Sequence, residues 1–127
     1  MIDYIALQNE AIKRYNAVIV QNSECWSRMH AHCKDGSRRI CKWKQANSYS
    51  SLFDLLHEIG HLETWTTALK RCESESLATK WAIERLKEMG LPIKRKKTQA
   101  YKDYIARTYQ RGLRRGLQKR VKSSLYM

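Results

Sequence analysis

Acidic residues are scarce in this chain, proline occurs once, and apolar residues never run to eighteen in succession. The last absence excludes a membrane-spanning helix, which needs about 20 predominantly apolar residues. The opening stretch from Met1 to Glu10 has neither the basic flank nor the apolar run of a signal peptide, so a cytoplasmic protein with no membrane partner is expected. In that compartment Cys25, Cys33, Cys41 and Cys72 are expected as reduced thiols rather than as a disulfide framework. At 127 residues there is material for one core and a fold of few elements.

The shortage of acid leaves a net charge of +13, which points to acidic partners. The charge is uneven. Residues 94 to 122 carry twelve Lys/Arg against Asp103 alone, a net +11, so residues 1 to 93 hold only +2. This divides the chain into a body, residues 1–93, and a basic helical extension, residues 94–127, packed on the same domain. As a set the extension could contact nucleic-acid phosphates electrostatically, without base-specific reading. For any single arginine the safer reading is a solvated face.

Apolar spacing predicts a first helix within residues 2 to 18, with Ile5, Ile12, Tyr15 and Ile19 at helical intervals. Runs from Cys25 to Cys33 and from Arg38 to Lys44 flank Asp35-Gly36, the signature of an antiparallel hairpin. A two-residue turn there pairs Arg39 with His32 and Cys41 with His30. Ser51-Leu-Phe-Asp54 has the form of a capping box and leads into apolar positions 52, 55, 56, 59 and 62, an amphipathic helix. A third helix is expected from near Ser74 to Met89, ended by Gly90 and by Pro92, the one proline. A last helix is expected after Thr98, with a packing stripe of Tyr101, Ile105, Tyr109, Gly112, Leu113, Gly116 and Leu117.

The second of these helices contains Leu55-Leu-His-Glu-Ile-Gly-His61. Residues at i and i+4 are neighbours on a helix, so His57 and His61 can direct imidazole nitrogens at one metal ion. Glu58, one step round, can reach a water at that metal. The ordinary alternative is a polar helix side facing solvent. A catalytic zinc usually takes three protein ligands, and His30 and His32 are the only other histidines, both upstream. A carboxylate is the natural third ligand. Glu73 and Glu75 are near, and helical phase separates them: Ala78, Ala82, Leu86 and Met89 fall within about 60° of Glu75, whereas Glu73 lies about 160° away. A carboxylate on an apolar stripe is costly unless a cation meets it, which favours Glu75 over its alternative as an exposed first-turn glutamate.

His57-Glu-Ile-Gly-His61 followed by Glu75-Ser-Leu-Ala78-Thr-Lys-Trp-Ala82 resembles the ImmA/IrrE-like zinc metallopeptidases of phages, mobile elements and bacterial stress responses, over roughly residues 38 to 90. The resemblance implies zinc on His57, His61 and Glu75, with Glu58 as the catalytic base. The chain departs from the family where Thr79 replaces a common Asn and where Glu88-Met-Gly-Leu-Pro92 replaces a Leu-Met-Pro segment. The fold expected is α+β: a minimal zincin with a small antiparallel hairpin or sheet against the motif helix, the Glu75 helix and terminal helices. The function expected is zinc-dependent hydrolysis of a peptide bond in one regulatory or defence-related protein. The rival is a non-catalytic zincin scaffold that binds nucleic acid or a protein partner through its basic helix.

Three weaker signals accompany the motif. The strand ending in Lys42-Trp-Lys44 could take an extended peptide by strand addition. Tyr101, Tyr104 and Tyr109 are candidate hydrogen-bond donors to substrate by chemistry only. His30, His32 and Cys41 share a ribbon face that would suit a second metal, but no zinc-ribbon spacing is present and ordinary strand residues are the favoured reading.

Overall fold

The computed structural model of the chain describes residues 1–20, 31–32, 38–41, 43–66 and 71–114. In chain order these form helix α1 (Tyr4–Arg14), strands β1 (Val18–Ile19), β2 (Ala31–His32) and β3 (Arg39–Ile40), and helices α2 (Tyr49–Thr64), α3 (Arg71–Glu88) and α4 (Arg95–Arg114). The architecture is α+β with helix predominating. No described helix is long and apolar enough to cross a membrane.

Helix α1 starts at Asp3, whose carboxylate accepts the Ala6 amide at 3.0 Å. It is shorter than expected because Asn16 adopts a left-handed φ of 53° and turns the chain into β1. Ile12, Tyr15 and Ile19 pack against the core as the spacing predicts, joined by Leu7 and Ala11 rather than Ile5. Gln8 is fully buried and donates to the Ala46 carbonyl at 2.9 Å.

The three strands lie in the order β1-β3-β2. β2 runs antiparallel to β3, with His32 opposite Arg39, while β1 runs parallel to β3. The expected antiparallel sheet is thus corrected to a mixed one containing a parallel pair. Parallel pairing needs a longer connection than a turn, and Ile19 and Arg39 are far enough apart in the sequence to allow one. A strand of two residues shows no alternation, so nothing in the sequence marks β1.

This topology also corrects two functional expectations. β3 is flanked on both sides, and past it the chain is tied inward. The Trp43 indole donates to the Ser51 carbonyl at 2.9 Å, and the Ser51 hydroxyl donates to Lys44 O and accepts from the Ala46 amide. β3 itself, paired on both sides, therefore offers no edge to an added peptide strand, and the Lys44 carbonyl just past it is already engaged. Cys41 is disulfide-bonded, which corrects its expected reduced state and removes its sulfur from any second metal site; Cys72 is a buried thiol outside any disulfide. Whether two sulfurs can bond depends on their distance in the fold, which spacing in the sequence does not reveal. The Asp35-Gly36 turn, His30, Cys25, Cys33, Lys42, Gly116 and Leu117 lie outside the described residues.

Helix α2 begins three residues before its expected start, capped by Ser48, whose hydroxyl accepts the Ser51 amide at 3.1 Å. Ser51 cannot cap because its own hydroxyl is committed to Lys44 and Ala46. Leu52, Phe53, Leu55, Leu56 and Ile59 are fully buried, Tyr49, Ser51, His57, Gly60 and Leu62 are buried beside them, and Ser50 and Glu63 are exposed. The other helices surround it.

Helix α3 starts by Arg71, before Ser74, with Glu73 in its first turn where a negative charge suits the helix dipole. It ends as expected at Gly90, whose φ of +74° allows the Gly90 amide to reach Lys87 O and the Leu91 amide to reach Leu86 O. The Tyr49 hydroxyl then donates to Pro92 O and accepts from the Lys94 amide. That anchor lets α4 begin at Arg95, ahead of Thr98, and carry Tyr101 across α2, with Ile105 buried one turn further on.

Candidate metal centre

The site depends on how closely two helices approach. At Gly60 a Cβ atom would stand 2.7 Å from the carbonyl oxygen of Ala78 and 3.0 Å from its Cα. Backbone atoms of a neighbouring helix cannot swing aside, so only glycine suits this position. The contact sets the Glu75 turn of α3 directly against the histidine face of α2.

At this seam His57, His61 and Glu75 meet. His57 Nε2 lies 2.9 Å from Glu75 Oε2, His61 Nε2 lies 3.0 Å from the same oxygen, and the two Nε2 atoms are 3.1 Å apart. Tetrahedral zinc with ligand bonds near 2.1 Å spaces its ligand atoms about 3.4 Å apart. The cluster is close to that spacing with only small adjustments, and the three residues could hold a metal ion. His57 and Glu75 are buried, while the His61 side chain is 16% exposed. Glu73 is half-buried and outside the cluster, as helical phase requires.

Both outer imidazole nitrogens have partners. The Thr79 hydroxyl spends its proton on the Glu75 carbonyl at 2.8 Å, so its oxygen accepts from Nδ1–H of His57 at 3.1 Å. This selects the His57 tautomer with its lone pair at Nε2, on the ligand side. Ser74 Oγ stands 3.1 Å from Nδ1 of His61 in the equivalent place. Without a metal the inward nitrogens compete for a proton. Burial pushes the pKa of His57 down. Burial opposes charge on His61 as well, but its hydrogen bond to Glu75 prevails and raises its pKa. The two directions differ because His61 is less enclosed. For Glu75, burial would raise the pKa, but its contacts with the two imidazoles prevail and hold the carboxyl well below the ordinary range.

Glu58 is next to the cluster but not part of it. Burial pushes its pKa up to about 7, and its Oε2 is sealed from solvent with no hydrogen-bond partner. An orphaned carboxylate oxygen beside three converging ligand atoms is what a metal with a water molecule would satisfy. Glu58 also lines an open cleft of about 540 Å³, with Trp43, Lys44, Asp54 and Tyr101 among its walls.

Tyr101 covers the cluster from α4. Its ring stacks on His57 at 4.5 Å between centroids and on Phe53 at 5.2 Å, and its hydroxyl donates to Asp54 at 2.5 Å. Lys97 holds the same carboxylate at 2.8 Å and donates to Ser50 Oγ at 2.7 Å. Burial and the Asp54 carboxylate hold the Tyr101 phenol well above its usual pKa, so it remains a donor. Of the other tyrosines singled out, Tyr104 accepts from Arg71 at 3.0 Å, and neither it nor Tyr109 lines the cleft. His32 is seen only as a backbone member of β2.

Sequence reasoning missed four participants. Gly60 had a signal, since glycine inside a helical pattern usually has a packing reason. Thr79 stands one turn after Glu75 and was visible only as a departure from a family pattern. Ser74 and Asp54 had no signal of their own. No protein-family model, no curated protein and no solved structure matches this chain.

Proposed function

We propose that this protein is a zinc-dependent peptidase with a minimal zincin fold, acting on a particular protein target. One juxtaposition supports the reading: His57, His61 and Glu75 converge beside Glu58, whose unpartnered oxygen is sealed while the residue lines an open cleft. The pattern shared with ImmA/IrrE-like metallopeptidases is in keeping with it.

In this reading His57, His61 and Glu75 hold the metal. When bound, zinc supplies a Lewis acid for a substrate carbonyl and makes water acidic enough to lose a proton near neutral pH. Glu58 takes that proton and delivers it to the leaving amine, a role worth typically 10²–10⁴-fold in rate. Thr79 and Ser74 orient the imidazoles. Tyr101 covers His57 and limits water on that side, and Asp54 holds Tyr101 in place. The cleft over Glu58 receives the peptide through side-chain contacts, since the β3 segment presents no edge.

The test is metal content followed by activity. Full-length protein should purify with close to one zinc per chain, and His57→Ala should lose it. Glu58→Gln should keep the zinc and lose at least about a hundredfold in hydrolysis of peptides drawn from a random library. Zinc-free wild type, or a Glu58→Gln variant that cuts at the wild-type rate, overturns the proposal.

A further inference from the structure

Several cations of the described residues are paired with acids: Arg38 with Glu63 at 2.7 Å, Arg85 with Glu88 at 2.9 Å, Lys87 with Glu84 at 3.4 Å, and Lys97 of the inner α4 face with Asp54 at 2.8 Å. On the outer face of α4, Arg95, Lys96, Lys102, Arg107, Arg111 and Arg114 are all exposed, and among the described residues none has a carboxylate partner. The one acid on that face, Asp103, accepts from Gln99.

We propose that the outer face of α4 binds the phosphate backbone of duplex nucleic acid without reading its sequence. Its phase is coherent. Arg107, Arg111 and Arg114 lie at i, i+4 and i+7, within about 60° of one another and over about 10 Å of helix, and Lys96 extends the same ridge to about 27 Å. A row this long calls for a partner with uniform, closely spaced negative charge. A duplex carries one charge per about 1.7 Å of axis. Arginine predominates on the ridge, and its planar fork suits phosphate oxygens.

The same face argues against other anionic partners. Ala100 is the only apolar residue among the exposed positions of α4, so the helix has no apolar side to sink into a membrane surface on that face. No exposed position carries an aromatic ring, so there is no platform for stacking unpaired bases. What remains is charge recognition of a backbone. The opposite side of α4, through Tyr101 and Ile105, is occupied by the body of the protein, which fixes the outer face toward solvent.

The experiment is fluorescence anisotropy of a labelled mixed-sequence duplex of about 20 base pairs, titrated with full-length protein at several salt concentrations. Contacts to three or four phosphates give a slope of log K against log salt of about −3. Arg107→Glu, Arg111→Glu and Arg114→Glu together should weaken binding at low salt at least thirtyfold. The corresponding triple glutamine variant, which keeps helix propensity and adds no repulsion, should weaken it about tenfold and flatten the slope. Circular dichroism on both variants checks that the helix persists. Absence of binding at low salt, glutamine-variant affinity equal to wild type, or competition by poly-glutamate or phosphatidylserine vesicles as effective per charge as by duplex overturns the assignment.

Discussion

Helix α2 makes two kinds of polar contact, and they differ in what keeps them together. Along the α2–α3 seam the backbones nearly touch, with the Gly60 position 2.7 Å from Ala78 O, and the histidine and glutamate side chains meet within 3.1 Å. Across the α2–α4 contact, longer side chains bridge the gap: Tyr101 and Lys97 both reach Asp54. Backbone proximity leaves little room for adjustment, so the seam fixes the positions of ligand atoms. Long side chains can readjust, so α4 covers and steadies what the seam has placed.

The largest expected effect tests whether the seam selects its ligand by position. Glu75→Gln should weaken zinc binding by more than about a hundredfold, because changing even a partner of a ligand costs 10–100-fold. Glu73→Gln, two residues away with the same charge, should leave it nearly unchanged. Competition against a zinc chelator at fixed pH measures both. Equal losses would mean that proximity to the helix terminus, not the seam, governs the metal.

Next in size is the contrast between the two contacts themselves. Gly60→Ala should destabilise the fold by about 1–3 kcal/mol through overpacking, even though alanine gains about 1 kcal/mol in helix propensity, and zinc affinity should fall with it. Tyr101→Phe keeps the ring on His57, loses the Asp54 hydrogen bond, and should cost about 1 kcal/mol with little change in zinc affinity. Urea denaturation and zinc titration on each variant check this. If Tyr101→Phe disturbs zinc more than Gly60→Ala does, the roles given to the two contacts are reversed.

The last effect, visible only as a dependence on pH, concerns Glu58 in metal-free protein. Its pKa of about 7 lies above the ordinary 4.5, so its neutral form favours the folded state. That contribution is complete below about pH 4.5 and is lost as pH rises through about 7. The amide introduced by Glu58→Gln does not titrate. The stability of Glu58→Gln minus that of wild type, both stripped of metal, should therefore grow by about 3 kcal/mol at most between pH 4.5 and 7.5. A difference that stays constant with pH would show that the carboxyl is not sealed as described.

Much of the candidate metal centre was legible because its parts are local. His57 and His61 are one turn apart, and Glu75 shares a phase with Ala78, Ala82 and Leu86, all fully buried. Helical periodicity carries that information without any knowledge of the fold. The expected helix starts at Ser51, Ser74 and Thr98 were displaced because hydroxyls and neighbours from elsewhere in the chain decide where capping occurs: Ser51 is engaged by Lys44 and Ala46, and α4 is anchored at Tyr49.

By itself, the sequence determined four helices, the pairing of two histidines on one helix face, the choice of Glu75 over Glu73, and the concentration of positive charge after residue 93. Each depends on residues within a few turns of one another. Tertiary structure alone decided that β1 would run parallel to β3, that Cys41 would be disulfide-bonded, that Thr79 would set the His57 tautomer, and that Tyr101 of the basic helix would stack over that ring. Those outcomes require atoms from separate elements to reach the same place, and no local period or spacing encodes that distance.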